Sequence, residues 1–347
     1  MRSSTGDSLR GIVPHRMSTR GQPLNRAAPA WCPWREIVVP PGCCGLRLDR
    51  FLALRFPDRS RSFFARRIRA GEVTDGGERS LACSHRVRSG ELLRLRIEGI
   101  APSEPPPPFP PILWEEGPLI AVDKPAGMLA HPAGTHFTWA LISLAKARYP
   151  GDRIDLVHRL DRDTSGVILL TRELDTNRFL KAELKAGRVH KEYQAIVRGE
   201  LSWDHRMIDA PIGPARGPIR IQMAVCDDGQ PARTEVTVLG RRGGLSRVRC
   251  VLHTGRTHQI RVHLAHIGAP LIGDRLYGVP PGIFLSILEH GITDEIIAAV
   301  GAPRQALHAA RTALCLPDGR RLEVEAPLPG DLQRWWQDPG CLPLDRR

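Results

Sequence analysis

The sequence predicts an α+β fold: a large domain on a mixed, largely antiparallel sheet, with a smaller α/β unit ahead of it. Three observations predict it. From about residue 112 to 338, strand-like and helix-like pieces alternate through irregular connections without an internal repeat. Before them, "EGIAPSEPPPPFPP" favours an extended polyproline II linker, placed at 99–111. Ahead of the linker, residues 36–98 read as two short helices and a small ribbon. A chain of 347 residues is long enough for one large and one small domain with a sizeable core.

The elements follow in order. Residues 1–35 carry Ser, Arg, Pro and Gly with almost no acid, and no packed core is expected there. A disordered tail, or a start placed ahead of Met17, ranks above a transit peptide. "LRLDRFLALRF" sets Leu48, Phe51 and Leu52 on one helical face, and Pro57 ends it. Ser60 is an N-cap for a second helix, with Phe64 and Ile68 on one side and Arg66, Arg67 and Arg69 on the others. Gly71 stops that helix. "EVTDGG" is a strand entering a turn, and "ELLRLRI" is a closing strand.

In the large domain, "LIAVDKPAG" is an apolar strand ending in a Lys-Pro-Ala-Gly turn. "GVILLTR" is a buried strand. "LDTNRFLKAELKAG" is a helix capped by Asp175 and stopped by Gly187. "KEYQAIVRG", "TEVTVL" and "SRVRCVLHT" are strands, and "THQIRVHLAHIG" is a helix ended by Gly268. The last residues, 339–347, are a tail.

Composition narrows the function classes. Hydrophobic residues are 41% and charged residues 25%, an ordinary soluble balance. No apolar run approaches the roughly 20 residues that cross a bilayer, and no secretory signal is seen. The net charge is +13, and residues 45–97 hold 13 Arg, no Lys and 6 acids. About half the excess thus sits on a short segment. A solvated surface would explain it, but such clustering favours a polyanionic partner, usually nucleic acid. The eight cysteines form no C-x-x-C pair and read as scattered small hydrophobes in a reducing compartment.

Few residues qualify for chemistry. Asp161, in "VHRLDRDTSG", lies on a loop anchored by the buried strand that follows, as a catalytic carboxylate requires. Asp163, beside Thr164 and Ser165, fits a turn-former better. Arg261, on the "GRTHQIRVHLAHIG" helix, shares a face with His258. A buried Arg needs an acid, and a buried Asp needs a base. Pairing the two would hold Asp161 ionised; a surface salt bridge is the alternative. The histidines at 253, 258, 263 and 266 lack zinc-motif spacing and read as satisfied or surface residues, so no metal is expected. Tyr193, one of three tyrosines, shares a strand face with Ala195 and Val197. It packs the core or stacks under a base with its hydroxyl as a relay. No glycine fingerprint for a nucleotide cofactor occurs.

Two resemblances follow from these motifs. Residues 36–98 resemble the small RNA-binding domain first known from ribosomal small-subunit protein S-four, through "RLDRFLA", "SRSFFARRIRAGEVTDGG" and "VRSGELLRLRI". Asp75-Gly76-Gly77 stands where that family usually has Val-Asn-Gly, a turn that tolerates positive φ. Residues 112–333 resemble the RluA-type pseudouridine synthases. "HRLDRDTSGVILLTR" carries the likeness, with "ILWEEGPLIAVDKPAGMLAHP", "KEYQAIVRG", "GRTHQIRVHLAHIGAPLIGDRLYG" and "ALHAARTALCLPDG" in the family's order. Asp123 replaces a more usual Asn, and Val279 to Arg304 reads as a helical insertion that would alter substrate access.

The resemblance implies isomerisation of uridine to pseudouridine in RNA without a cofactor. Asp161 would be the essential carboxylate, Tyr193 the uracil platform and Arg261 the partner of Asp161. Arg159 would fill the space left by the extruded nucleotide. Arg61, Arg66, Arg67 and Arg69 would contact RNA. Large-subunit ribosomal RNA, in ribosome assembly intermediates, is favoured over transfer RNA; a cytoplasmic monomer without membrane contact is expected. A non-catalytic RNA-binding or ribosome-assembly protein and a hydrolase using Asp161 as base are the rivals. The hydrolase lacks a paired carboxylate.

Overall fold

The computed structural model describes residues 34–56, 60–96, 107–131 and 140–343. The expectations for 1–33, the stop at Pro57, most of the proline-rich linker and the final four residues lie outside them.

Residues 34–96 form a three-stranded antiparallel sheet with two helices. Strands β1 (Arg35–Val38), β2 (Val73–Asp75) and β3 (Leu92–Leu95) take the order β1-β3-β2. Helices α1 (Leu48–Arg55) and α2 (Arg61–Arg69) bury Leu48, Phe51, Leu52, Phe64 and Ile68 against Val73, Leu93 and Leu95. Ser60 caps α2, its hydroxyl accepting the Phe63 N–H at 3.1 Å. The arginines do not all point outward. Arg66 and Arg69 are exposed, and Arg61 reaches Asp49 at 3.0 Å. Arg67 turns in to Glu72 at 3.3 Å and lies over the Phe63 ring. The turn after β2 also differs from expectation. Neither Gly76 nor Gly77 is left-handed; Glu78 is, at φ 67°. The Asp75 carboxylate makes this possible by accepting the Gly77 and Arg79 amides at 3.0 and 2.9 Å.

The remaining residues build a ten-stranded sheet. Its strands are β4 (Ile112–Glu116), β5 (Leu119–Lys124), β6 (Asp155–Leu156), β7 (Ser165–Thr171), β8 (His190–Arg198) and β9 (His205–Asp209). A side hairpin, β10 (Ile212–Pro214) and β11 (Met223–Val225), precedes the long pair β12 (Arg233–Arg242) and β13 (Leu245–Leu252). Strands β14 (Leu307–Cys315) and β15 (Arg321–Glu325) come last. The order is β4-β5-β7-β14-β8-β13-β12-β9, with β15 on β14 and β6 on β7. Only β7 and β14 pair in parallel. The expected mixed, largely antiparallel sheet is therefore the observed one.

Helices α3 (Leu141–Arg148), α4 (Leu174–Lys185), α5 (Gln259–His266), α6 (Pro281–His290), α7 (Asp294–Val300) and α8 (Gly330–Gln337) complete the fold. Two helix starts shift. Asp175 lies inside the first turn of α4, where its charge suits the helix dipole, and Glu173 is the cap position. His258 precedes α5 in a left-handed conformation, φ 57°. The expected insertion, Val279 to Arg304, is α6 and α7.

The central parallel pair places the loop that holds Asp161. There Gly166 has φ +110°, and a Cβ on it would sit 2.1 Å from the Ala309 carbonyl oxygen. Only glycine lets the strand leave the Asp161 loop this close to β14.

Candidate active site

The loop from β6 to β7 is pinned at both ends. Val157 and Leu160 are buried, and β7 is buried along its whole length. Between them Arg159 points to solvent, and the Asp161 side chain is 24% exposed. The Thr164 amide closes the turn on the Asp161 carbonyl at 3.2 Å. A second brace comes from β5. Lys124, 0% exposed, donates to the carbonyls of Pro125, Met128 and Arg162 at 2.9, 2.8 and 3.0 Å. Burial draws its ammonium down to about 7, against the pull of Asp163 and Asp161. Its three acceptors match the three protons of the charged form. The Lys-Pro-Ala-Gly turn is thus tied to the Asp161 loop.

Arg261, from α5, meets Asp161 head-on: its Nη1 donates to Asp161 Oδ2 at 2.8 Å. The other edge of the guanidinium forks onto Asp274, Nε to Oδ2 at 2.7 Å and Nη2 to Oδ1 at 2.8 Å. Asp274 is buried and also accepts the Leu276 and Tyr277 amides at 2.9 and 3.1 Å. Two carboxylates therefore share one buried cation, and backbone amides offset the second charge. Burial pushes the Asp161 carboxyl upward. The charge of Arg261 leads what outweighs it, joined by His258 when that ring is protonated and by hydrogen bonds from Arg261 and Gln305, and the carboxyl is held below its usual range.

His258 flanks the same carboxylate, its Nε2 3.9 Å from Asp161 Oδ1. Its Nδ1 lies 2.8 Å from the Tyr277 hydroxyl, which accepts the Met223 amide at 3.0 Å. We assign the Tyr277 proton to Nδ1, leaving Nε2–H to face the cleft. Burial, and then Arg261, lower the His258 pKa, so the ring is neutral at pH 7.

Two cavities meet at Asp161. One, of about 770 Å³, is lined by Arg159, Asp161, His258, Arg261, Arg275 and residues of α6, among others. A small one, of about 80 Å³, adds Tyr193 and Leu307 to the same Arg159, Asp161, His258 and Arg261. Tyr193 projects from β8, and burial with the charge of Asp161 keeps its hydroxyl protonated. Asp161, Arg159, Tyr193 and Arg261 are thus brought together. Arg61, Arg66, Arg67 and Arg69 belong to α2 and line neither cavity.

Four residues escaped the sequence reading: Asp274, His258, Lys124 and Gln305, whose amide donates to the Thr164 hydroxyl at 2.7 Å. A signal existed for Asp274. A buried arginine that spends one edge on Asp161 leaves another edge to satisfy, and "LIGDRLYG" carries an acid. His258 was counted among four histidines without a role; His263, by contrast, is satisfied by Thr234 and the Ala210 carbonyl. Among the described residues, no group of three His, Cys, Asp or Glu is placed to hold a metal ion. No described helix is long and apolar enough to cross a membrane.

Chemically, the site offers an ionised, partly exposed carboxylate, a neutral N–H donor beside it and a cationic rim. The chain as a whole is similar to known proteins. The family model described as RNA pseudouridylate synthase matches residues 118–266. An uncharacterized RNA pseudouridine synthase of Chloroflexus aurantiacus is 42% identical over 86% of this chain and 92% of that protein. The ribosomal large subunit pseudouridine synthase D of Xanthomonas campestris is 38% identical over 86% of this chain and 91% of that protein. Among solved structures, human RNA pseudouridylate synthase domain containing 1 superposes with a TM-score of 0.52 at 24% identity, over 65% of this chain and 86% of that one. That likeness speaks for the fold, and the bacterial relatives speak for the family. The chain belongs to the RluA-type RNA pseudouridine synthases.

Proposed function

We propose that this pseudouridine synthase acts on uridine in large-subunit ribosomal RNA, with Asp161 as the essential carboxylate. One observation carries the assignment of Asp161. It is the carboxylate held ionised by a buried arginine where two cavities meet. Attack at the sugar, attack at the base and removal of a ribose proton all need that charge. The target lies in a stack, so it is flipped out before reaction. Arg159, exposed at the cleft mouth, fills the vacated space with its planar guanidinium. Tyr193 packs beneath the uracil, and neutral His258 offers its Nε2–H to an oxygen that gains charge as the glycosidic bond breaks.

The ribosomal substrate is supported by the name of the Xanthomonas relative and by the basic unit at 36–98, which we take as a docking domain joined through a 99–111 linker to a catalytic domain at 112–338. On α2, Arg66 and Arg69 are exposed, while Arg61 is partly committed to Asp49 and Arg67 to Glu72. We infer a cytoplasmic monomer that meets its RNA in assembly intermediates; the described cysteines are free thiols, as a reducing compartment requires.

The test is tritium release from [5-³H]uridine in transcribed large-subunit ribosomal RNA. Asp161→Asn is isosteric and deletes only the charge. We expect no turnover with RNA affinity kept within about twofold. Turnover by Asp161→Asn would sink the assignment.

A further inference from the structure

Six large apolar side chains stand exposed among the described residues: Val38, Ile221, Leu239, Leu285, Leu288 and Ile292. Three of them, Ile221 at 56%, Leu288 at 68% and Ile292 at 46%, line the large cavity beside Asp161, and Leu285 stands on the same helix as Leu288. Solvent-facing apolar groups gathered at one cleft mark a contact surface.

The surface is built, not frayed. On its inner side α6 seats Phe284 against the cluster of Ile212, Ile219, Leu276 and Tyr277. The Val300 carbonyl at the end of α7 accepts the Gly273 amide at 2.8 Å, next to Asp274. The insertion is thereby tied to the loop that supports Arg261. Arg159, Arg162 and Arg275 line the same cavity, the last two paired with Asp163. The lining thus combines cationic and aliphatic side chains. Phosphates suit the first, and the faces of unstacked bases suit the second.

Resting on the proposed function, we propose that Leu288 and Ile292, with Ile221, form an apolar wall that receives the unstacked bases flanking the flipped uridine. The insertion is then a specificity surface of this enzyme. Its occupant is single-stranded or locally opened RNA, because the wall is continuous with the Asp161 cleft.

The test measures kcat and KM for tritium release from [5-³H]uridine-labelled, transcribed large-subunit ribosomal RNA. The variants are Leu288→Ser, Ile292→Ser, the pair, and Leu288→Phe. The exposed positions leave melting unchanged. We expect KM of the pair to rise about tenfold, the scale of two lost apolar contacts, with kcat kept and the salt slope unaltered. Leu288→Phe restores stacking and keeps the wild-type KM. Equal KM for wild type and pair overturns the inference. So does a changed salt slope, which would mean a displaced phosphate contact. Variants that match wild type on bare RNA but fail on precursor particles overturn it too, giving the face to a ribosomal protein. A wild type that converts no uridine overturns the substrate reading itself, and the inference with it.

Discussion

Replacing Arg261 by lysine keeps the buried charge and removes the fork. The guanidinium makes three bonds, two to Asp274 and one to Asp161, from two opposed edges. A lysine ammonium is a single point at the end of a flexible stem and cannot hold both carboxylates at these distances. One buried carboxylate loses its charge-assisted bond, which costs about 3–5 kcal/mol if the pair is broken outright and less if water enters. The effect on Asp161 is separable from stability. Burial alone would raise its carboxyl, and the charge of Arg261 is the strongest of the influences that hold it low. With that partner weakened, the carboxyl rises. Protonated Asp161 is inactive, so the acid limb of kcat/KM moves up with it. Linkage gives the matching stability change. A lowered carboxyl contributes stability above its unfolded value near pH 4, lost as pH falls through the folded value; the lysine variant loses less there. Single-turnover tritium release from pH 4 to 8, with urea melts, reads both. An acid limb that stays in place in a folded Arg261→Lys protein would refute the role given to the pair.

Three further outcomes follow from particular contacts. Gly166→Ala forces a Cβ onto the Ala309 carbonyl at a left-handed position and should cost about 2–5 kcal/mol in urea unfolding; a loss under about 1 kcal/mol would contradict the close approach. His308 accepts from Ser165 at Nδ1, donates to the Ala326 carbonyl at Nε2, and is drawn by burial from 6.5 down to about 4. The unfolded chain then binds the extra proton, so His308 removes about 3 kcal/mol as pH falls from 6.5 to 4. His308→Gln should flatten that fall in thermal melts, and an identical pH profile would contradict it. Arg66→Gln with Arg69→Gln should reduce the salt slope of RNA binding by about two, while an unchanged slope would count against α2 as a phosphate contact.

Local pattern made much of the fold legible. The unbroken apolar run of "GVILLTR" marks a strand buried on both faces, alternation marks "KEYQAIVRG" because side chains change face at every residue, and Ser60 is readable as a cap because its chemistry is local. The pairing of strands is not local. β7 lies beside β14, 143 residues away at the Ser165–His308 contact, and no period in either segment encodes the other. The site divides the same way. Asp161 and Arg261 were legible as a buried acid and base that need each other. Asp274 was not, because its partner becomes visible only when the guanidinium's second edge is oriented. Arg67 misled for a related reason: helical phase puts it off the apolar face, and only Glu72, across the turn, draws it in.

The most direct measurement is pseudouridine mapping on total RNA from cells lacking the gene, complemented with wild type or Asp161→Asn. A ribosomal large-subunit uridine should lose its modification on deletion, and only the wild type should restore it. An unchanged map, or restoration by Asp161→Asn, would contradict catalysis through Asp161.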